Sequence, residues 1–247
     1  MVERPTERYS LRLLDGFGLD LGGHPRYPQP SGQRLLALLA IAGPTRRMTA
    51  AGTLWPDASE PRAMASLRTV VWRLRTGAPR LVIGESGALR LAEPAVVDTH
   101  ALIAHATRLI NSTVTLQDGD LEMGLLRGRE LLPGWYDDWV SYERERMRQL
   151  RMHALELLAH ELRHRGRYAA GLEAALEAVR MEPLRESSHR AVVALHLAEG
   201  NVVEAMRHFD LFRHTLQQDL GVQPSPQLMD MVATLPEQTS AARLTRR

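Results

Sequence analysis

Short segments of alternating apolar and polar residues open the chain and predict a small antiparallel sheet. The alternation covers Tyr9–Asp15, is interrupted at Gly16-Phe-Gly18, and resumes at Leu19-Asp-Leu21 before the turn signal Gly22-Gly23. A period of two residues turns one face of each strand toward a core. We therefore expect β-strands at the start of the chain.

Helical segments and a hairpin follow the predicted strands. An apolar helix is predicted for Gln33–Ala42, and Thr49 is expected to cap a short helix over Ala50–Leu54. A longer helix is predicted for about Arg62–Thr76, and a hairpin is predicted around the turn Gly84–Gly87. A sheet, three helices and a hairpin in this order are typical of a winged helix-turn-helix.

The third helix has the pattern of a DNA-recognition helix. At about 100° per residue, one face collects the apolar side chains and the opposite face collects Arg62, Ala65, Thr69, Trp72 and Arg73, with Arg68 and Arg75 on the flanks. No acidic residue occurs from Arg62 to Thr76, whereas a solvated helix face normally mixes both signs. An ordinary amphipathic helix with solvated arginines is the alternative for this segment taken alone.

All 31 basic residues are arginines, although the net charge is only +2. Residues 1–100 contain 13 arginines and 9 acidic residues, so the excess of basic charge lies in the predicted winged helix. Arginine holds phosphate and guanine through two parallel N–H groups. A basic face of this kind favours contact with nucleic acid.

The second part of the chain is predicted to be helical from Val97 onward and to contain a repeat. Five positions, Gly166, Tyr168, Gly171, Ala175 and Ala178, match Gly200, Val202, Ala205, Phe209 and Phe212 at an offset of 34 residues. That period is typical of tetratricopeptide helix pairs. We therefore predict a mainly α protein with a small β component: a winged helix at residues 9–96, an all-α tetratricopeptide-like domain at 97–236 and a disordered tail at 237–247.

One motif resembles a zinc-peptidase signature. His160-Glu-Leu-Arg-His164 matches H-E-x-x-H, with both histidines on one helical face. The extended form requires glycine and histidine where this chain has Arg167 and Ala170. No P-loop or nucleophile elbow occurs, and the chain has no cysteine. We therefore expect a protein without enzymatic activity, cofactor or metal, and a zinc hydrolase is a minor alternative.

Motifs from both parts of the chain, in their order and spacing, resemble the small type of the Streptomyces antibiotic regulatory protein (SARP) family. Members join an OmpR-type winged helix to a bacterial transcriptional activation domain. The resemblance runs from about Ser10 to Leu235, and the matching segments are Arg34–Leu39, Leu54–Asp57, Ser66–Arg75, Val97-Asp98, Glu130–Trp135, Asp138-Trp139, Glu143–Arg146, Gly166–Tyr168, Glu182–Glu186 and Asp219–Pro226.

The resemblance implies a cytoplasmic transcriptional activator of a secondary-metabolite gene cluster. It implies binding to direct repeats in double-stranded DNA near a promoter, as a homodimer or as paired protomers, and engagement of the RNA polymerase sigma subunit. No apolar run reaches the roughly 18–20 residues that cross a bilayer, so no membrane partner is expected. A repressor or auxiliary co-regulator that binds DNA is the first alternative, and a helical-repeat scaffold without a DNA function is the second.

The recognition pattern assigns a contact to each candidate residue. Arg68, Thr69, Trp72 and Arg73 are expected to reach the bases or the groove, because a helix fills the major groove. Phosphate contacts are assigned to Arg62 and Arg75, and wing contacts are assigned to Ser86 at the hairpin tip and to Arg80 and Arg90 near its base. Trp72 alternatively packs on a neighbouring protomer.

Two further groups of side chains are assigned from the sequence. In the stiff loop Trp55–Pro61, Asp57 and Glu60 are expected to contact polymerase, or alternatively to cap the third helix. Trp55 is expected to anchor this loop in the core. Trp135, Tyr136 and Trp139 are expected to pack between helices.

Overall fold

The computed structural model describes residues 9–78, 81–93, 95–111 and 116–233. The chain forms two compact units. The first contains the residues up to Ala104 together with Arg129–Met147, and the second contains His105–Gly128 and the residues from Arg148 onward. The predicted fold class, mainly α with a small β component, is confirmed. The domain boundary at residues 96 and 97 stays a prediction, and the tail at 237–247 lies outside the described residues.

The first unit contains the strands and the helices of the predicted winged helix. In chain order these are β1 (Tyr9–Arg12), β2 (Gly18–Leu21), β3 (His24–Arg26), α1 (Pro30–Ala42), β4 (Thr45–Arg46), α2 (Arg47–Leu54), α3 (Glu60–Gly77), β5 (Val82–Glu85), β6 (Ala88–Leu91) and β7 (Ala95–Val97). The helices α4 (Asp98–Ile110) and α5 (Asp138–His164) belong partly to each unit.

The first unit contains a four-stranded sheet with the order β3-β2-β1-β7. β1 and β2 pair antiparallel, as predicted, and the alternating Tyr9 and Leu11 are buried. β7 pairs with β1 in parallel, with Val97 opposite Leu11. The prediction that the helical part begins at Val97 was therefore wrong, because Val97 ends a strand and α4 begins at Asp98.

Helices α1, α2 and α3 pack around one core that includes Leu35, Leu36, Leu54 and Leu67, all with almost no exposed surface. The prediction that Thr49 caps the second helix was wrong, since α2 already begins at Arg47. The reason is that Thr45-Arg46 pairs with β6 as a strand, so the helix starts at the next residue.

The predicted hairpin is confirmed and forms a wing of three strands in the order β4-β6-β5. Its turn consists of Ser86 and Gly87, whose φ angles are 49° and 80°. Two successive positive φ angles are the requirement of a type I′ turn, which matches the twist of the flanking strands. The wing thus has a short tip with Ser86 exposed at its end.

The second unit, in its described residues, is helical. Besides the remaining parts of α4 and α5 it contains two short 3₁₀ turns, Asp118–Leu121 and Gly124–Leu126, and the helices α6 (Tyr168–Met181), α7 (Glu186–Glu199), α8 (Val202–Asp219) and α9 (Pro226–Ala233). No helix in the described part of the chain combines the length and the apolarity that crossing a bilayer requires.

The predicted repeat corresponds to the helix pairs α6–α7 and α8–α9. Gly166 and Gly200 precede α6 and α8, and their φ angles of 70° and 85° lie in the left-handed region that favours glycine. A Cβ at Gly171 would lie 2.7 Å from Cδ2 of Leu195, so a larger residue there would force the Leu195 side chain or the two helices to move. Its counterpart Ala205 is fully buried in α8.

Candidate nucleic-acid interface

Helix α3 presents one buried apolar face and one exposed basic face. Ala63, Leu67, Val70, Val71 and Leu74 are buried, as the predicted period requires. The exposed side chains include all the α3 residues that were predicted to contact DNA: Arg62, Arg68, Thr69, Trp72, Arg73 and Arg75. The structure therefore brings together on the exposed side of one helix the six α3 residues among those that the sequence assigned to DNA.

The four arginines of this surface, Arg62, Arg68, Arg73 and Arg75, form no ion pair with a carboxylate of the described residues. The second unit contrasts with this surface, because its arginines are widely paired with acids. Its ion pairs include Arg108–Asp120, Arg127–Glu173, Arg165–Glu161, Arg180–Glu177, Arg185–Glu156, Arg207–Glu204 and Arg213–Asp210. The α3 surface thus carries positive charge that no described acidic residue compensates.

Two side chains of the α3 surface have defined polar contacts within the protein. Nη1 of Arg73 donates to Oε1 of Gln29, which precedes α1, at 2.6 Å. The hydroxyl of Thr69 donates to the carbonyl of Ala65 at 3.1 Å. Trp72 is an apolar side chain on the polar surface, with 67% of its area exposed.

Arg75 lies next to an arginine that the sequence analysis did not assign. A Cβ at Gly84, on β5, would lie 2.7 Å from Nη2 of Arg47 and 3.1 Å from Nη2 of Arg75. The two guanidinium groups therefore meet above the glycine of the wing. Neither forms an ion pair with a described acid, so this cluster of like charges is suited to hold an anion.

The wing residues differ in whether their polar groups already have partners within the hairpin. Nε of Arg90 lies 3.7 Å from the Glu85 carboxylate, and Nη1 donates to the carbonyl of Leu91 at 3.3 Å. The charge of Arg90 is therefore partly matched within the hairpin, whereas Ser86 is exposed at the tip. Arg80, which was expected at the base of the wing, lies outside the described residues.

The loop between α2 and α3 borders an open groove of about 1000 Å3. Trp55 is partly buried against the core, as expected, while Asp57 and Glu60 are exposed. Glu60 is the first residue of α3, and Ser59 before it makes no side-chain capping hydrogen bond. The opposite wall includes Tyr136, which is 88% exposed.

The expectation that Trp135, Tyr136 and Trp139 all pack in the core was wrong for one of them. Trp135 stacks on Phe17 with ring centroids 6.2 Å apart, and Trp139 is partly buried. Tyr136 instead points away from the core. The adjacent Asp137 forms an ion pair with Arg34 that fixes this segment beside α1.

The H-E-x-x-H segment lies at the end of α5. Nε2 of His160 and Nε2 of His164 are 3.1 Å apart, and the carboxylate of Glu161 pairs with Nε of Arg165 at 2.7 Å. Burial lowers the pKa of His160, and the positive charge of the nearby His164 lowers it further. Among the described residues, no three His, Cys, Asp or Glu side chains are grouped so as to hold a metal ion.

Comparisons with known proteins concern both the second part of the chain and its whole length. The sequence profile of the bacterial transcriptional activator domain matches residues 103–235. The regulatory protein AfsR of Streptomyces coelicolor is 27% identical over 224 residues, which cover 82% of this chain and 21% of AfsR. This chain therefore spans about a fifth of the length of that relative.

A solved structure of EmbR from Mycobacterium tuberculosis, in complex with a low affinity phosphopeptide, has the same fold. It superposes with a TM-score of 0.73 and 21% sequence identity, and the match covers 92% of this chain and 65% of the EmbR chain. At this identity the likeness concerns the fold, which extends over nearly all of the chain.

Proposed function

The chain belongs to the bacterial transcriptional activator domain family, of the SARP type, and we propose that it activates transcription from specific sequences in double-stranded DNA. The observation that carries this proposal is the basic surface of α3. It contains four arginines without an acidic partner among the described residues, whereas the arginines of the second unit are widely paired. Arginines clustered on one helix face give the charge pattern that attracts a nucleic-acid backbone.

Sequence recognition is assigned to the exposed face of α3 in the major groove. Arg68 and Arg73 have the donor geometry for O6 and N7 of guanine, and Thr69 has a methyl group for thymine. The contact of Arg73 with Gln29 is a hydrogen bond to a neutral amide. Arg73 therefore keeps its full charge and exchanges one neutral acceptor for a base edge when DNA binds. Trp72 supplies apolar surface to the groove.

Phosphate contacts are assigned to both ends of α3 and to the wing. Arg62 lies in the first turn of α3, and Arg75 lies in the last. We add Arg47 to the residues assigned from sequence, because its guanidinium meets that of Arg75 above Gly84. A phosphodiester oxygen between the two groups would relieve their repulsion. Ser86 and Arg90 place the wing along the neighbouring backbone.

The polymerase contact is assigned to the groove beside the α2–α3 loop. Asp57 is exposed and forms no hydrogen bond with a described residue, which supports its assignment to a partner. Glu60 lies in the first turn of α3, where a negative charge also favours the helix. Asp57 and the exposed Tyr136 line this groove, and Glu60 follows Asp57 by three residues. Together they are the surface proposed to contact a basic region of the sigma subunit. A homodimer or paired protomers on direct repeats would present this surface twice.

The cellular location and the biological role follow from the proposed activity. A DNA-binding activator acts where the bacterial chromosome is, so we place the protein in the cytoplasm. Control of a secondary-metabolite gene cluster is the role that its SARP-type relationship suggests. No catalytic step and no cofactor enter this mechanism.

The experiment that tests the proposal uses the full chain and a pool of random duplexes. Repeated selection by the protein should enrich one motif, present as a direct repeat, which should also occur near the promoter next to its own gene. In transcription with purified polymerase, that promoter should be stimulated by the protein. Failure to enrich any motif refutes sequence-specific binding, and repression of the promoter refutes activation while leaving DNA binding intact.

A further inference from the structure

A cavity of about 540 Å3 lies beside α3 in the first unit, on the side that faces the start of α1. Its floor is apolar and consists of buried side chains: Leu19, Val70, Leu74 and Ala78. Its rim is polar and includes Arg26, Tyr27, Gln29, Ser31 and Arg73. Cavities that hold small molecules have volumes of roughly 300–1,000 Å3 and this same division into apolar floor and few polar groups.

Small residues keep the cavity open. A Cβ added to Gly77, at the end of α3, would meet no other atom within 4 Å. Gly32, on α1, is different, since a Cβ there would lie 3.2 Å from Cδ2 of Leu74. α1 and α3 are thus in close contact at Gly32, whereas Gly77 adjoins open space.

The charge at the rim is positive and uncompensated. Among the residues that the structure describes, no acidic one lines the cavity. Arg26 forms no ion pair with a described residue, and the partner of Arg73 is the neutral Gln29. The first turn of α1, whose N-cap Gln29 provides no side-chain cap, adds its positive end to the same rim.

From this geometry we infer that the cavity binds a small amphipathic carboxylate, with its apolar body on Leu19, Val70 and Leu74 and its charge between Arg26 and Arg73. The guanidinium fork matches a carboxylate in two parallel hydrogen bonds. Tyr27, which is 90% exposed, is available at the mouth to cover an aromatic or aliphatic body.

This site is coupled to DNA binding, and the coupling rests on the proposed function. Arg73 belongs to the rim of the cavity and to the DNA surface of α3, so a bound carboxylate and a base edge compete for one guanidinium. The carboxylate also places a negative charge next to the DNA. Because linkage is reciprocal, the ligand weakens DNA binding by the same factor by which DNA weakens ligand binding.

The test uses 2-naphthoate as a probe, titrated calorimetrically into the full chain without DNA. It should bind at one saturable site, and its uncharged methyl ester and acetate, which lacks the apolar body, should each bind about tenfold or more weakly. Absence of saturable binding overturns the inference. Equal affinity for the ester or for acetate also overturns it, since the site would then not require both the carboxylate and the apolar body of the ligand.

Two variants locate the probe. Arg26→Ala should weaken binding of 2-naphthoate about tenfold or more, and Gly77→Leu should block it by filling the cavity. Arg12→Ala removes an exposed arginine from the same sheet outside the cavity, and it is the matched control that should change nothing. Unaltered binding to both cavity variants would place the probe elsewhere and overturn the inference.

The coupling is measured separately, by fluorescence anisotropy on a duplex obtained by selection. 2-Naphthoate should weaken the binding of the wild type to this duplex and leave that of Arg26→Ala unchanged, while both proteins bind the duplex equally without the probe. A probe that binds without weakening DNA binding refutes the role of Arg73. If no duplex is selected at all, the proposed function fails, whereas the titration without DNA still tests whether the cavity binds the carboxylate.

Discussion

The carboxylate of Asp98 accepts hydrogen bonds from the backbone N–H of Leu13, at 2.9 Å to Oδ1 and 3.1 Å to Oδ2, across 85 residues of sequence. It also accepts from the N–H groups of Leu14 and Thr99 at 3.0 and 2.8 Å. Leu13 and Leu14 are buried, so water does not replace this acceptor. One side chain therefore joins the segment after β1 to the first turn of α4.

We expect Asp98→Ala to lower the free energy of unfolding by about 2–3 kcal/mol, because the buried N–H groups of Leu13 and Leu14 lose this acceptor. Asp98→Asn should cost less, since one oxygen remains. The measurement is a urea titration followed by circular dichroism. Asp20→Ala, which removes an exposed acceptor of the Gly23 N–H, is the control. Equal midpoints for the Asp98 and Asp20 variants would contradict the structural role.

Arg73 and Arg75 should differ in what they contribute to DNA binding. We expect Arg73→Ala to weaken binding to the selected duplex by about 1–3 kcal/mol and to leave binding to a scrambled duplex nearly unchanged. Arg75→Ala should weaken both alike, because phosphate carries no sequence. Mobility shifts on the two duplexes measure this. The assignments are wrong if Arg73→Ala lowers both affinities by the same factor.

Gly84 should matter for phosphate binding although it carries no charge. A methyl group there would lie 2.7 Å from Nη2 of Arg47, so this flexible side chain must move, while the backbone of the hairpin has room to stay. We expect Gly84→Ala to lower non-specific DNA affinity and to reduce the dependence of log K on log salt by about one phosphate contact.

The matched variants for Gly84→Ala are Arg47→Ala, which should have the same effect, and Gly52→Ala, which should have none. Gly52 lies on the exposed side of α2, with no atom within 4 Å of an added Cβ. An unchanged salt dependence in both Arg47→Ala and Gly84→Ala would remove this cluster from the interface.

A histidine pair should make the second unit sensitive to acid. Nδ1 of His189 and Nε2 of His208 are 3.0 Å apart, and Nε2 of His189 donates to the carbonyl of Pro183 at 2.8 Å. His189 therefore accepts through Nδ1, an arrangement that requires this nitrogen to be unprotonated. Burial, reinforced by His189 and His196, lowers the pKa of His208 to about 4, and burial lowers the pKa of His189.

Because the folded pKa of His208 lies below its ordinary value of 6.5, its contribution to stability is present above pH 6.5 and is lost as the pH falls toward about 4. With solvent screening, we expect a loss of about 1–2 kcal/mol. Thermal unfolding of His208→Gln, measured across this range, should depend less on pH than that of the wild type. The exposed His24→Gln is the control, and a wild-type pH dependence in His208→Gln would contradict this origin.

The acidic residues beside the groove should affect transcription and leave DNA binding intact. We expect the double variant Asp57→Ala, Glu60→Ala to keep its footprint and thermal stability and to lose several-fold in stimulation of transcription with purified polymerase. If the acids serve as helix caps instead, stability and DNA binding should fall together. Full stimulation at saturating protein would exclude the loop from the polymerase contact.

The elements with strong local signals were predictable from the sequence. The buried face of α3 follows from a regular period of apolar residues, and the wing follows from its turn residues. β3 was missed because His24-Pro25-Arg26 is fully exposed and shows no alternation. β7 was missed because three residues give no period, and its partner strand is remote in sequence.

The parts of the site that depend on tertiary contacts were not predictable in the same way. The exposed residues of α3 were assigned from a helical wheel, but the contact of Arg73 with Gln29 joins residues 44 apart. Arg47 lies outside the predicted third helix, Arg62–Thr76, and gave no signal by itself. Its assignment depends on the wing, which brings Gly84 under two guanidinium groups.

The first unit is discontinuous in sequence, and this determines how the protein responds to being cut. Leu131, Leu132 and Val140 are buried in the same core as Leu13 and Leu35, although residues 105–128 belong to the second unit. A proteolytic fragment that ends after the wing would keep the whole α3 surface and lack part of the core beneath it. Cleavage anywhere between Ala104 and Arg129 would therefore weaken the proposed DNA binding at a distance, by loosening the first unit, which carries α3.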